Sequence, residues 1–192
     1  MTHPAPAMMK TYSSAKHSNT DKANRAKASK KIKYIVVHYT GSKASAKNNC
    51  IYFAREGAEA NASADFFIDK DGTIWKYNQP TKAYSWHCGD GHGKYGITNS
   101  NSVGIEVVSA GEEYTYRQKL ALKKLVLYLM EYFSVPADHI VRHYDASRKT
   151  CPQAYSGALS TIKGKKWKKL KAYITLWLNK SMSITISCTS GQ

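Results

Sequence analysis

The chain has 192 residues, 42% of them hydrophobic, enough for a real core in one domain of ordinary size with some excess at the ends. No run reaches the roughly 18 apolar residues that a membrane span needs, and the four cysteines (Cys50, Cys88, Cys151, Cys188) form no C-x-x-C pair and no small disulfide scaffold. Lys and Arg outnumber Asp and Glu 29 to 13, a net charge of +16 that draws a protein to polyanions such as nucleic acid or the anionic polymers of a cell wall.

Residues 1–30 are polar, basic and without periodicity, which predicts a flexible arm. Its start, M-T-H-P-A-P-A-M-M-K, lacks the apolar run of a signal peptide, so the expected site of synthesis and folding is a cytoplasm. A domain is expected over 31–180, with 181–192 as a short polar tail. Within the domain, Y-I-V-V-H-Y (34–39) reads as a strand closed by Thr40-Gly41-Ser42, and 44–58 as a loosely defined helix. A-D-F-F-I-D (64–69) and T-I-W-K-Y (73–77) flank Asp71-Gly72, a strong hairpin signal. Residues 85–102 form a long Gly/Ser/Asn loop, of the sort that is often functional. V-G-I-E-V-V (103–108) is a further strand whose alternation puts Val103, Ile105 and Val107 on one face and Gly104, Glu106 and Val108 on the other.

The apolar spacing of Leu122, Leu125, Val126, Leu129, Met130 and Phe133 predicts a helix over 117–133, stopped by Val135-Pro136. Ile140-Val141 leads into R-H-Y-D, and a last helix is expected over 157–178 with Leu170, Tyr173, Ile174 and Trp177 inward. Six lysines between Lys163 and Lys171 would then face outward. Alternating strands and helices indicate a single α/β domain with a central mixed sheet flanked by helices.

Imidazole and thiolate side chains are the natural ligands of zinc, and a catalytic zinc keeps three of them and one open position. His38 ends the first strand, His143 follows Arg142, and Cys151 lies eight residues on in K-T-C-P, a gap that suits a loop folding back. Spacing leaves His87, His92 and His139 as rivals. Glu106 is notable for another reason: glutamate is depleted in strands, and its neighbours Ile105 and Val107 are apolar.

The segments I-V-V-H-Y-T, W-H-C-G-D-G, N-S-N-S-V-G-I-E-V and I-V-R-H-Y-D…K-T-C-P stand in the order seen in type-2 N-acetylmuramoyl-L-alanine amidases, and over about residues 32–155 the chain resembles that family. The family holds many phage endolysins and bacterial autolysins and is related to the peptidoglycan recognition proteins. The resemblance implies a monomeric hydrolase that cuts the bond between N-acetylmuramic acid and L-alanine in bacterial peptidoglycan. It implies one catalytic Zn2+ on His38, His143 and Cys151, Glu106 as general base, Lys149 stabilising the oxyanion, and His87 lining the substrate cleft. Trp86 would stack on sugar or pack the loop. Arg142 would meet a substrate carboxylate or a surface acid, and Asp145 would orient a ligand or cap the following turn. Ala64-Asp65 departs from the family, many members of which carry a histidine or tyrosine there, and leaves acid/base work to Glu106.

The likeness to phage endolysins also implies action on the wall after release through a holin-type pore. The basic arm and the Lys163–Lys171 cluster would meet anionic wall polymers. A non-catalytic peptidoglycan-binding module of the same fold is disfavoured by the presence of Cys151. Nucleic-acid binding is disfavoured by the lack of any finger spacing, RNA motif or basic recognition helix.

Overall fold

The computed structural model describes residues 4–12, 31–56 and 59–177. Among these, six strands form one sheet, in chain order β1 (Met9–Thr11), β2 (Tyr34–Tyr39), β3 (Phe66–Ile68), β4 (Ile74–Lys76), β5 (Ser102–Val107) and β6 (Ile140–Arg142). Their spatial order is β1-β4-β3-β5-β2-β6. The helices are α1 (Ala46–Glu56), α2 (Tyr116–Phe133), α3 (His143–Ser147) and α4 (Ile162–Thr175).

The sheet is mixed, as expected. Only β3 and β4 pair antiparallel, because only the turn between them is short; parallel neighbours need a longer crossover. Gly72 holds φ +88 in that turn, a left-handed conformation that glycine adopts without steric cost.

The two central strands, β2 and β5, are buried on both faces, which is why their sequences run almost continuously apolar. On one face Ile35, Val37, Val103, Ile105 and Val107 pack beneath α2 and α4 in the main core. On the other, Phe67 and Val108 meet Ala46, Cys50 and Ala54 of α1. Thr115 starts α2 through a capping box: its hydroxyl accepts from Gln118 N, and the Gln118 side chain accepts from Thr115 N. Leu122, Leu125 and Leu129 are fully buried on its inner face, each contributing about 2 kcal/mol by leaving water.

Three expectations are corrected. The last helix starts at Ile162 rather than 157, because Thr161 caps it by accepting from Gly164 N. It ends at Thr175, so Trp177 lies beyond it and is 41% exposed. Trp167, set among the lysines, is the buried tryptophan, three and seven residues before Leu170 and Ile174 on one helical face. Structure also begins before Lys31: Met9–Thr11 adds a parallel strand beside β4. Residues 13–30, the tail 181–192 and Cys188 lie outside the described residues. Cys50, Cys88 and Cys151 are buried free thiols.

Candidate active site

Sheet register builds the site. The parallel pairing of β2 with β5 sets His38 directly beside Glu106, on the face opposite the main core and near the carboxyl ends of both strands. Open α/β sheets commonly bind ligands at those ends. Beyond β6 the chain enters α3 with His143 as its first residue. The following loop turns back, Tyr144 N donating to Cys151 O at 2.8 Å, and returns Cys151 to His38 on β2.

His38, His143 and Cys151 come together as buried side chains whose ligand-competent atoms lie within 4.8 Å of one another. Cys151 Sγ is 3.7 Å from His38 Nδ1. Burial, reinforced by His143, His87 and Lys149, lowers the His38 pKa well below its ordinary value, so its imidazole is neutral and has a lone pair to give. Burial and the Glu106 carboxylate push the Cys151 thiol up, so a thiolate there calls for a cation beside it. The other histidines do not join this cluster: His92 lines the cleft wall, and His139 contacts Lys33 O and stacks on Tyr34.

A second layer holds the ligands. His38 Nε2 lies 3.0 Å from His87 Nδ1, and His87 Nε2 lies 3.1 Å from Ser102 Oγ, which donates to Thr98 O. Tyr114 Oη donates to His38 O, fixing its backbone as well. His143 Nε2 meets Asp90 Oδ1 at 2.7 Å, leaving Nδ1 for the centre. Partners of this kind fix the tautomer and orientation of metal-ligating histidines. Asp90 stood within W-H-C-G-D-G without a role, since nothing in spacing alone marks a carboxylate 53 residues from its histidine.

His87 can sit over the strand only because residue 104 is glycine. A Cβ there would lie 2.6 Å from His87 Cγ. Gly104 N in turn donates to Asp65 Oδ2, and the buried Asp65 also accepts from Asn78 and Ser85. The residue that departs from the family therefore anchors the strand beneath His87.

Glu106 Oε1 is 3.9 Å from His38 Nδ1, and its Oε2 is buried with no hydrogen-bond partner. Burial, opposed by Lys149, pushes this carboxyl up to about 8. Such a displaced carboxyl in a cleft is a mark of a functional site. The cluster floors a lobe of about 290 Å³ that also includes Trp86, Lys149 and Thr150. Trp86, His87, His143 and Lys149 are shared with a larger lobe of about 650 Å³ that extends past Tyr84, Asp90, His92 and Asn99. Lys149 is exposed at the junction.

Arg142 and Asp145 stand apart from this centre. Asp145 accepts from Arg142 N, Nε and Nη2, and Arg142 Nη1 donates to Tyr155 O and Gly157 O. The guanidinium is buried near the rings of Tyr144 and Trp167. The pair ties the start of α3 to the turn before α4.

The site is thus a metal-competent cluster at the strand ends of a mixed α/β sheet. The model of the N-acetylmuramoyl-L-alanine amidase family, Amidase_2, matches residues 28–154, and the chain belongs to that family. It is 33% identical over 125 residues to N-acetylmuramoyl-L-alanine amidase CwlA of Bacillus subtilis (strain 168), covering 64% of this chain and 43% of that protein. To XlyB of the same organism it is 29% identical over 161 residues, covering 82% and 47%. The chain thus spans about half the length of the curated relatives it matches. Among solved structures it superimposes on PlyL with a TM-score of 0.67 at 22% identity, over 86% of this chain and 94% of that one. A mutant endolysin from Bacillus subtilis gives 0.63 at 26% identity, over 86% and 96%.

Proposed function

We propose that this chain is a zinc-dependent N-acetylmuramoyl-L-alanine amidase of the endolysin type, cleaving the amide between the lactyl group of N-acetylmuramic acid and L-alanine in peptidoglycan. The observation that carries the reading is the His38–His143–Cys151 cluster at the head of the cleft, beside a carboxylate oxygen with no partner.

The donor set fits zinc. With Zn–S about 2.3 Å and Zn–N about 2.0–2.1 Å, tetrahedral geometry asks for an N···S separation of roughly 3.6 Å; His38 Nδ1 and Cys151 Sγ stand 3.7 Å apart. Two neutral histidines and one thiolate leave a fourth position open. Zinc held there supplies a lowered pKa for a bound water and polarisation of the substrate carbonyl.

The protein's own groups do the rest. Glu106, with Oε2 free, takes a proton from the attacking water and passes it to the leaving amine; the charge of a zinc ion beside it would favour the ionised carboxylate that burial alone disfavours. The Lys149 ammonium, exposed where the two lobes of the cleft meet, lends positive charge to the oxygen on which negative charge develops. Trp86 offers its ring to the glycan. His87, with both ring nitrogens engaged, holds His38 in place while lining the cleft wall. On this reading the enzyme works as a monomer at the cell wall, which it reaches from the cytoplasm by a holin-type release.

The test is release of free amino termini from purified Gram-positive peptidoglycan. Activity should vanish with chelator, return with zinc, and fall by about 100-fold or more in Glu106→Gln, with zinc content unchanged. A folded, zinc-loaded protein that binds peptidoglycan without cutting it would make the chain a binding module instead.

A further inference from the structure

We propose that the outward face of α4 is a docking surface for an anionic lipid bilayer. At 3.6 residues per turn, Ile162, Lys165, Lys169, Ala172 and Leu176 fall in one row along the helix and its C-cap, and all five are exposed. Lys168 flanks the row and is exposed as well, while Lys163, in the first turn and seven residues before Leu170, is exposed because the helix begins there. The opposite row, Gly164, Trp167, Leu170 and Ile174, is buried, with α4 packed on α2 and the turn at Gln153–Tyr155.

The lysines of this helix divide into two sets. Lys166 pairs with Glu113 at 2.7 Å, and Lys171 donates to Asp138 O. Among the described residues, Lys163, Lys165, Lys168 and Lys169 have no carboxylate within 4.0 Å. Four positive charges on one helix therefore lack a counter-charge among the described residues.

Exposed apolar side chains identify the partner. Leu159 is 45% exposed, Ile162 76%, Leu176 56% and Trp177 41%. Apart from Met8, these are all the exposed large apolar residues other than tyrosine among the described residues, and they bracket the lysines at both ends of α4. A linear wall polyphosphate would engage the lysines and leave Ile162 and Leu176 in water. A bilayer surface uses both, taking the ammonium groups at the headgroup phosphates and the apolar ends at the acyl boundary. The 14-residue helix is about 21 Å long. No helix among the described residues is long and apolar enough to cross a membrane, so α4 would lie along the surface.

The experiment is co-sedimentation of the full chain with vesicles of equimolar phosphatidylglycerol and phosphatidylcholine, with pure phosphatidylcholine vesicles and soluble wall teichoic acid as the other arms. The wild type should partition onto the anionic vesicles and not onto the neutral ones. Lys165→Glu with Lys169→Glu should lower partitioning at least about 25-fold, at roughly fivefold per lysine. Ile162→Ser with Leu176→Ser should lower it about tenfold and leave teichoic-acid binding unchanged. The N-terminal lysines are common to all three proteins, so the differences report on α4, and the exposed positions of the four substituted residues leave the fold intact. Vesicle binding that is absent, equal on neutral lipid, or indifferent to either double variant overturns the proposal, and retention by teichoic acid alone assigns the lysines to a wall polymer. No peptidoglycan is present, so the outcome is independent of the amidase reading.

Discussion

Replacing Gly104 with alanine adds one methyl group at the point where β5 passes beneath His87. The new Cβ would stand 2.6 Å from His87 Cγ and 3.0 Å from both its Cβ and Cδ2, where carbon contacts are most favourable at about 3.5–4.0 Å. The ring must retreat by about 1 Å. It has little room: His87 is 8% exposed and is tied to His38, to Ser102 and, through its backbone, to Asn99. A 1 Å retreat breaks the 3.0 Å contact with His38. Overpacking costs about 1–3 kcal/mol and the lost hydrogen bond about 1, against about 0.4–1 kcal/mol returned by a stiffer unfolded chain. The net loss is about 1–3.5 kcal/mol, or roughly 2–14 °C in Tm for a chain of this size. Loosening His38 should also weaken zinc binding about 10- to 100-fold, shrinking the stabilisation that zinc confers by about 1.4–2.7 kcal/mol. Thermal melts in chelator and in excess zinc, with competition against a chromophoric chelator, measure both effects. A variant with the wild-type chelated Tm and wild-type zinc affinity would refute the role given to this contact.

Two further outcomes follow from buried charge. Asp145→Ala strips the Arg142 guanidinium, 2% exposed, of its bidentate partner. It should cost about 2 kcal/mol, less than for a fully buried pair because Asp145 is 27% exposed; a urea midpoint equal to wild type would contradict this. Burial, opposed by bonds from Gly104, Asn78 and Ser85, pushes Asp65 up to about 6 from 3.8. The folded state therefore holds this proton more tightly than the unfolded chain does. The group's contribution is complete below pH about 4 and is lost as pH rises to about 6, a change of about 3 kcal/mol. Chelated wild type should lose stability against Asp65→Asn across that window in urea titrations, and parallel curves would reject the assignment.

Much of this was legible in the residues. The Asp71-Gly72 hairpin, the apolar stripe of α2 and the alternation of β5 are local patterns, and local patterns survive folding. Residue type and family likeness single out the three candidate ligands, and the structure brings them within reach of one another. What stayed hidden was non-local. Nothing near Asp90 in the chain says that it meets His143, and nothing near Asp65 says that it anchors Gly104. Strand β1 escaped because three residues of an edge strand carry no periodicity. Trp167 was lost among lysines because local composition outweighed its three-residue spacing to Leu170.

The string from His38 through His87 and Ser102 to Thr98 has a direction. With His38 Nδ1 given to a metal, its Nε2 must donate to His87 Nδ1, His87 Nε2 must donate to Ser102 Oγ, and the Ser102 hydroxyl must end on the Thr98 carbonyl. Every hydrogen points away from the centre, and the last acceptor is a peptide oxygen that cannot take a proton onward. The string is a dead end for proton traffic. The other buried polar atom beside His38, the Oε2 of Glu106, has no partner at all and lies outside this string.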